Sequence, residues 1–311
     1  MTVHTDSVAA GSVSTDPADG GPQPSRPVSR NRLVLRRFLR PRLAVFGLVL
    51  VVLLIALAYL GPVFYSWKYD QLDFEAFQSP PSPAHWFGTY QTGGDVYART
   101  LRGLQKSLVI GLLGALLSTA LAAVAGAFAG YFRGATDVVV RLVTDLMLVL
   151  PGFLIIAIFS TALRDGSWLM FIVLLAGFQW MITARVVRGM TQSLREREFV
   201  QAARFMGVPG WKIILRHILP NMASFLIIDA TVGVSSIILA EVGLSFFGFG
   251  VQPPDVSLGT LIADGAGAAL TNWWQFYFVA GVLVLLVLAV NLVGDGLRDA
   301  LDPNSEIEGA K

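Results

Sequence analysis

Two acidic residues lie inside a stretch of sequence that is otherwise apolar enough to cross a bilayer. Asp229 and Glu241 both fall between residues 222 and 247, twelve positions apart. On a helix that separation is about 18 Å along the axis and about 120° around it, so the two carboxylates are not expected to form a catalytic pair. Ionisable side chains at membrane depth commonly mark a solute pathway. Both residues are therefore pathway candidates, and the alternative is that each makes a hydrogen bond that packs helices together.

The chain shows no motif for binding nucleotides or metals. A phosphate-binding loop needs a lysine directly after a glycine, and none of the four lysines meets that condition. They are Lys68, Lys106, Lys212 and Lys311. The absence of cysteine excludes disulfides, thiolate metal sites and cysteine nucleophiles. His85 and His217 have no second ligand near them in sequence, so we predict no metal site and no cofactor in this chain.

The composition predicts an integral membrane protein. Hydrophobic residues occupy 54% of the 311 positions and charged residues 14%, whereas soluble domains carry about 25% charged residues. Residues 1–30 differ, because they are rich in Ser, Thr, Asp, Gly and Pro, and we expect a disordered cytoplasmic tail there. Residues 31–42 form a basic juxtamembrane segment, and residues 304–311 form a second cytoplasmic tail.

Six segments are long and apolar enough to span a membrane as helices. They cover about residues 43–60, 106–133, 142–163, 168–184, 222–247 and 273–294. In the third, Pro151-Gly152 is expected to kink the helix, and Asp145 is expected to make a structural contact near the cytoplasmic rim. The second has small residues on one side, among them Gly111 and Gly114, which favours close helix packing.

The distribution of positive charge predicts the orientation. Seven arginines precede the first span, and seven basic residues lie between residues 185 and 216. No Lys or Arg occurs between residues 217 and 297. Because cytoplasmic loops are enriched in Lys and Arg, both termini and the loop 185–221 are predicted to be cytoplasmic. The loop 61–106 then faces outward, and the stretch from Asp95 to Leu108, at its end, is interpreted as a helix lying on the membrane surface.

The cytoplasmic loop contains a predicted helix-break-helix elbow. Its first half repeats apolar or small residues at the spacing of one helix face. These are Phe199, Ala202, Ala203 and Met206. The second half repeats that spacing from Trp211 to Ile218, and between the halves Gly207 suits a left-handed helix end while Pro209 suits a first turn. Small side chains at 202 and 203 favour close approach of a partner, and the alternative is a pair of interfacial helices lying on lipid.

The elbow resembles the cytoplasmic EAA loop of ABC-importer permeases. The shared pattern is Gln201-Ala202-Ala203, three residues, Gly207 and, further on, Leu219-Pro220, with Gln201 where the family has Glu. In that family the loop is a coupling helix seated in a cleft of a cytoplasmic ATPase. The ATPase contacts that the resemblance implies are Phe199, Gln201, Ala202, Ala203, Arg204, Met206, Gly207 and Trp211.

Other stretches resemble the C-type permeases of dipeptide and oligopeptide importers. These are the run His85-Trp-Phe-Gly-Thr with Asp95 downstream, the run from Ile238 to Pro254, and the run from Asn291 to Pro303. The resemblance extends over about residues 43–303 and is more specific than the EAA pattern alone. It indicates peptide as the cargo, with nickel or another small solute as the alternative.

The resemblance implies a type I ABC-importer permease fold: all-α, six transmembrane helices, with both termini cytoplasmic, in the bacterial plasma (inner) membrane. The chain itself would not be an enzyme and would contact lipid but no nucleic acid. Its expected partners are a second related permease that completes the pathway, cytoplasmic ATPase subunits that bind ATP and Mg²⁺, and an extracytoplasmic peptide-binding protein.

Two other classes of protein fit the sequence less well. A secondary transporter that works alone usually shows an inverted repeat and acids placed for ion coupling; the sequence shows no convincing repeat, and the elbow would have no role. The other class is an intramembrane enzyme. The sequence lacks a His-Glu-x-x-His motif, and its Tyr69-Asp70 pair lies in an outer loop instead of a span.

Overall fold

The computed structural model describes residues 30–162 and 168–301, which are helical apart from connecting loops and two isolated β-bridges. The helices are α1 (Arg30–Phe38), α2 (Arg42–Phe64), α3 (Val96–Phe132), α4 (Gly134–Val149), α5 (Gly152–Ala162), α6 (Trp168–Arg195), α7 (Glu198–Phe205), α8 (Gly210–Ile213), α9 (Leu219–Asn221), α10 (Ala223–Phe246), α11 (Leu258–Ala266) and α12 (Trp274–Leu301). A π-helical turn, Ile214–Ile218, joins α8 to α9. The predicted tails, apart from Arg30, lie outside the described residues, as does the predicted end of the third span at residue 163.

Among the described residues, five helices are long and apolar enough to cross a membrane, namely α2, α3, α6, α10 and α12. Helices α4 and α5 pass the same test only as a pair, and they meet at 84°. The prediction of six spans agrees with this arrangement if the bent pair counts as one. The expected kink at Pro151 is in fact a break, because the ring of a proline disfavours the helical conformation of the residue before it and Leu150 is extended.

Helix α3 differs most from its prediction. It runs for 37 residues without interruption, about 55 Å, so the stretch interpreted as a separate surface helix is its first part. Asp95 caps the start, and its carboxylate accepts the N–H of Ala98 at 2.7 Å. Lys106, taken as the boundary of the span, is buried because its ammonium lies 2.7 Å from Asp255. Arg102 pairs with the same carboxylate at 2.7 Å, so neither charge ends the helix.

Glycines on α3 allow two other spans to approach its backbone. A Cβ added at Gly114 would lie 2.9 Å from Ile237 of α10, and Gly111 meets α10 in the same way, which confirms the predicted packing side. Further along α3, a Cβ at Gly126 would lie 2.5 Å from the carbonyl oxygen of Ala184 on α6. Helix α3 is therefore held between α6 and α10.

A buried cluster around His85 orders the first outer loop and ties it to α3. The ring Nδ1 lies 2.8 Å from Asp95, and Nε2 lies 3.2 Å from Asp73. The hydroxyl of Tyr65 donates to Asp95 at 2.8 Å. The N–H of Glu75 and, more weakly, the His85 ring hold the pKa of Asp73 below its usual range. Burial and the bond to Asp95 raise the pKa of Tyr65.

We expect Gly126→Ala to lower the thermal stability of the purified protein, at a cost of about 1–3 kcal/mol, because the new methyl group would overlap the α6 backbone. Gly189→Ala on α6 is the matched control, since nothing lies within 4 Å of its added Cβ. Alanine has a higher helix propensity than glycine, so the control should melt at the wild-type temperature or slightly above. Equal melting temperatures for the two variants would contradict the packing described.

Candidate functional site

The predicted elbow is present between α6 and α10. Gly207 ends α7 with φ at 76°, in the left-handed region as predicted. Its N–H donates to the carbonyl of Arg204 at 3.0 Å, and the N–H of Val208 donates to that of Ala203 at 3.1 Å. These two bonds are those of a Schellman motif. Pro209 precedes α8 by one residue instead of lying in its first turn.

One face of the elbow, here called the inner face, is buried against the ends of two membrane-crossing helices. Its residues are Val200, Ala203, Ile213, Ile214 and Ile218. They form one apolar cluster with Ala127 and Tyr131 of α3 and Val187 of α6. The contact is close, because a Cβ on Gly210 would lie 2.7 Å from the ring of Tyr131. The elbow is thus fixed to α3 and α6.

The elbow also exposes large apolar side chains, here together called the outer patch. It consists of Phe199, Phe205, Met206 and Trp211. The exposed fraction reaches 88% for Phe205 and 76% for Met206. Ala202 and Arg204 are also exposed beside the patch. The elbow therefore has two apolar faces, and only the inner face is buried by the part of the chain that the structure describes.

This division differs from the single apolar face expected from the sequence. Ala203 belongs to the buried face, and Gln201 is half-buried with its amide 3.5 Å from the carbonyl of Arg195. Phe205, the most exposed residue of the patch, was not among the predicted contacts. A second stripe at i, i+3 and i+4, formed by Ala202, Phe205 and Met206, was the signal that would have identified it.

Asp229 lies on a cavity of about 220 Å³ between α3, α6 and α10 that is lined by both polar and apolar side chains. Its Oδ2 accepts the hydroxyl of Thr119 at 2.7 Å, and its Oδ1 accepts that of Thr183 at 2.8 Å. The other polar lining residues are Ser118, Gln179 and Ser236. On each helix the lining positions recur at i, i+3 and i+4, so each of the three spans turns one stripe towards the cavity.

Glu241 lies apart from this cavity and is fully buried where α10 meets α11. Its Oε1 accepts the hydroxyls of Ser245 at 2.7 Å and Ser257 at 2.5 Å. Its Oε2 has no partner among the described residues, and a Cβ on Gly259 would lie 2.8 Å from it. The position of Glu241 favours the packing alternative, and the two acids have separate partners, as their spacing predicted.

Two acids of α4 pair with arginines of α6. Asp145 of α4 pairs with Arg185, in agreement with the structural contact predicted for it. Asp137 of α4 pairs with Arg188, whose Nη2 lies 2.8 Å from the carboxylate. These pairs join α4 to α6 in the half of α6 that leads to the elbow.

Comparison with known proteins agrees with this architecture. The family described as binding-protein-dependent transport system inner membrane component matches residues 122–306, and the N-terminal TM domain of oligopeptide transport permease C matches residues 29–81. The oligopeptide transport system permease protein OppC of Mycobacterium tuberculosis H37Rv is 55% identical over 278 residues, which cover 89% of this chain and 96% of that protein. OppC of Haemophilus influenzae is 37% identical over 270 residues, 86% of each chain.

The first of these family matches spans more than half of the chain, and both relatives align over nearly their whole length. The apolar membrane-crossing helices and the elbow described above are consistent with these matches. The chain belongs to the binding-protein-dependent transport system inner membrane components, as the C-type permease subunit of an oligopeptide ABC importer and a multi-pass protein of the bacterial inner membrane.

Proposed function

We propose that this chain forms half of the peptide pathway of an ATP-driven importer and receives the driving force from a separate ATPase through the elbow. The observation that carries the proposal is the two-faced elbow. Its inner face is packed on α3 and α6, while its outer patch exposes Phe, Met and Trp side chains. Contiguous exposed apolar side chains mark surfaces that contact another protein or a membrane.

The position of the outer patch favours a protein partner over lipid. The inner face already contacts the bundle, so the outer patch is turned away from the helices that cross the bilayer. Arg204 and Lys212 are exposed beside it, which adds positive charge around an apolar centre. Such a centre with a charged rim is typical of a protein interface. ATP and Mg²⁺ then bind the partner, not this chain.

The polar stripes of α3, α6 and α10 support the other half of the proposal. Polar side chains within apolar spans face a protein interior or a water-filled cavity, because lipid offers them no partners. Ser236 on α10 is nevertheless exposed, and Gln179, Thr183 and Asp229 are only half-buried in this chain. A second related permease is needed to cover this face, and the space between the two is the pathway. An extracytoplasmic binding protein supplies the peptide.

Cysteines placed in the elbow test the docking surface, since the native chain contains none. Ala202→Cys and Met206→Cys should react with a membrane-impermeant maleimide in inside-out vesicles. Addition of the ATPase should slow that reaction strongly, because it would cover the outer patch. Asp299→Cys, exposed at the end of α12, is the control that should react equally with and without the ATPase. Unchanged reactivity of both elbow cysteines with the ATPase bound would contradict the coupling role.

Substitutions of Gly207 test the geometry of the elbow. Gly207→Val should uncouple ATP hydrolysis from peptide uptake, because a β-branched residue resists the left-handed conformation. Gly207→Asn is the matched variant, since asparagine tolerates that conformation and nothing lies within 4 Å of an added Cβ. It should retain most of the uptake per ATP hydrolysed in reconstituted vesicles. Wild-type coupling in the valine variant would refute the geometric argument.

A further inference from the structure

The carboxylate of Asp229 has acceptor capacity that the chain does not use. A carboxylate offers about four lone-pair positions, and the hydroxyls of Thr119 and Thr183 take two of them, one on each oxygen. The side chain is half-buried and borders the cavity. Acceptor positions on both oxygens therefore remain for a group that enters the cavity.

No cation of this chain fills those positions within the described residues. The two arginines that follow on α6 are engaged elsewhere, Arg185 with Asp145 and Arg188 with Asp137. The other polar groups that line the cavity are the amide of Gln179 and the hydroxyls of Ser118 and Ser236. All of these are neutral, so Asp229 is the single charged group of the lining.

The acceptors that line the cavity and its size indicate which chemical group it can bind. A primary ammonium carries three N–H donors, and the carboxylate and the neutral oxygens around it supply matching acceptors. The volume of about 220 Å³ is below the roughly 300–1,000 Å³ of pockets that enclose whole drug-sized ligands. The part of the cavity that this chain forms therefore holds the end of a peptide, and the rest of the peptide would lie towards the second permease. Peptides of different sequence share their terminal ammonium, so a site for it would serve them all.

We propose that Asp229, oriented by Thr119 and Thr183, is a subsite for the α-ammonium group of a peptide as it passes between the spans. This inference rests on the proposed function, because it requires that the face formed by α3, α6 and α10 lines the pathway. The contact is made by hydrogen bonds and charge alone, and no covalent step is involved.

The test uses the complete importer in proteoliposomes, with a single cysteine beside the cavity. Val232→Cys on α10 and Ile182→Cys on α6 are suitable, since both residues line the cavity and are apolar and exposed. The probes are two tetrapeptides without Lys, Arg or His, each with a free amino terminus. One carries a pyridyl-disulfide side chain on its first residue and the other on its last. During ATP turnover the cysteine displaces thiopyridone and traps the passing peptide.

The first-residue probe should be trapped about tenfold faster than the last-residue probe, a factor that a hydrogen bond to a charged group readily supplies. Asp229→Asn keeps the shape but removes the charge, so it should abolish this preference while the last-residue probe is still trapped. Asp145→Asn, which removes a carboxylate paired with Arg185, is the control and should retain the preference.

The outcomes separate the subsite from the pathway. Equal trapping of the two probes with Asp229 intact, or an equal loss for both probes in Asp229→Asn, would overturn the subsite and leave Asp229 as a clamp between helices. If neither probe reacts at either reporter position, in an importer that still takes up peptide, this face does not line the pathway and the proposed function fails instead. Two reporter positions are used so that an inactive variant at one of them does not decide the result.

Discussion

Burial of the elbow's inner face against α3 and α6 is the interaction on which the rest of the structure depends. Four aliphatic side chains, Val200, Ile213, Ile214 and Ile218, are almost completely removed from solvent there. At about 1.5–3 kcal/mol for each, their burial contributes up to about 6–12 kcal/mol, an upper estimate because the unfolded chain already buries some surface. That is comparable to the whole stability of a small domain. On the function proposed above, a partner that pushes on the outer patch is expected to displace α3 and α6 with the elbow instead of detaching the elbow from them.

Helices α3 and α6 also line the cavity that contains Asp229. Thr119 lies twelve residues before Tyr131 on α3, about 18 Å along the axis, and Thr183 lies on α6 beside Ala184, whose carbonyl meets Gly126 of α3. Both threonines donate to Asp229 on α10. A contiguous chain of packed helices and hydrogen bonds thus joins the surface proposed for the ATPase to the group proposed for the peptide. Glycine on α3 is what brings the backbones close enough for this connection.

Local chemistry explains which features could be predicted from the sequence. The apolar spans and the turn at Gly207 follow from side-chain length, hydrophobicity and backbone freedom, which act over a few residues. The start of α3 could not be placed, because a lysine usually ends a span and nothing near Lys106 reveals the distant aspartate that neutralises it. The partners of Asp229 are separated from it by 110 and 46 positions. Likewise, the division of the elbow into two apolar faces depends on the helices beneath it. For that reason Phe205 was not predicted to be one of the exposed contact residues.

A cross-link between the elbow and α3 would test most directly whether they move as one body. Cysteines at Tyr131 and Gly210 suit a short bifunctional thiol reagent. Replacing Tyr131 removes the nearer of the two rings that a new side chain at 210 would meet, and the ring of Phe132, 3.0 Å from the added Cβ, must shift slightly. The chain has no other cysteine. Peptide uptake by the assembled importer would be measured before and after the link is closed, with the unlinked double variant as the reference. If the elbow transmits force as a rigid extension of α3, uptake should continue at the rate of the unlinked variant. Loss of uptake on closing the link, with ATPase binding retained, would show that the elbow must hinge against α3 and would contradict the account.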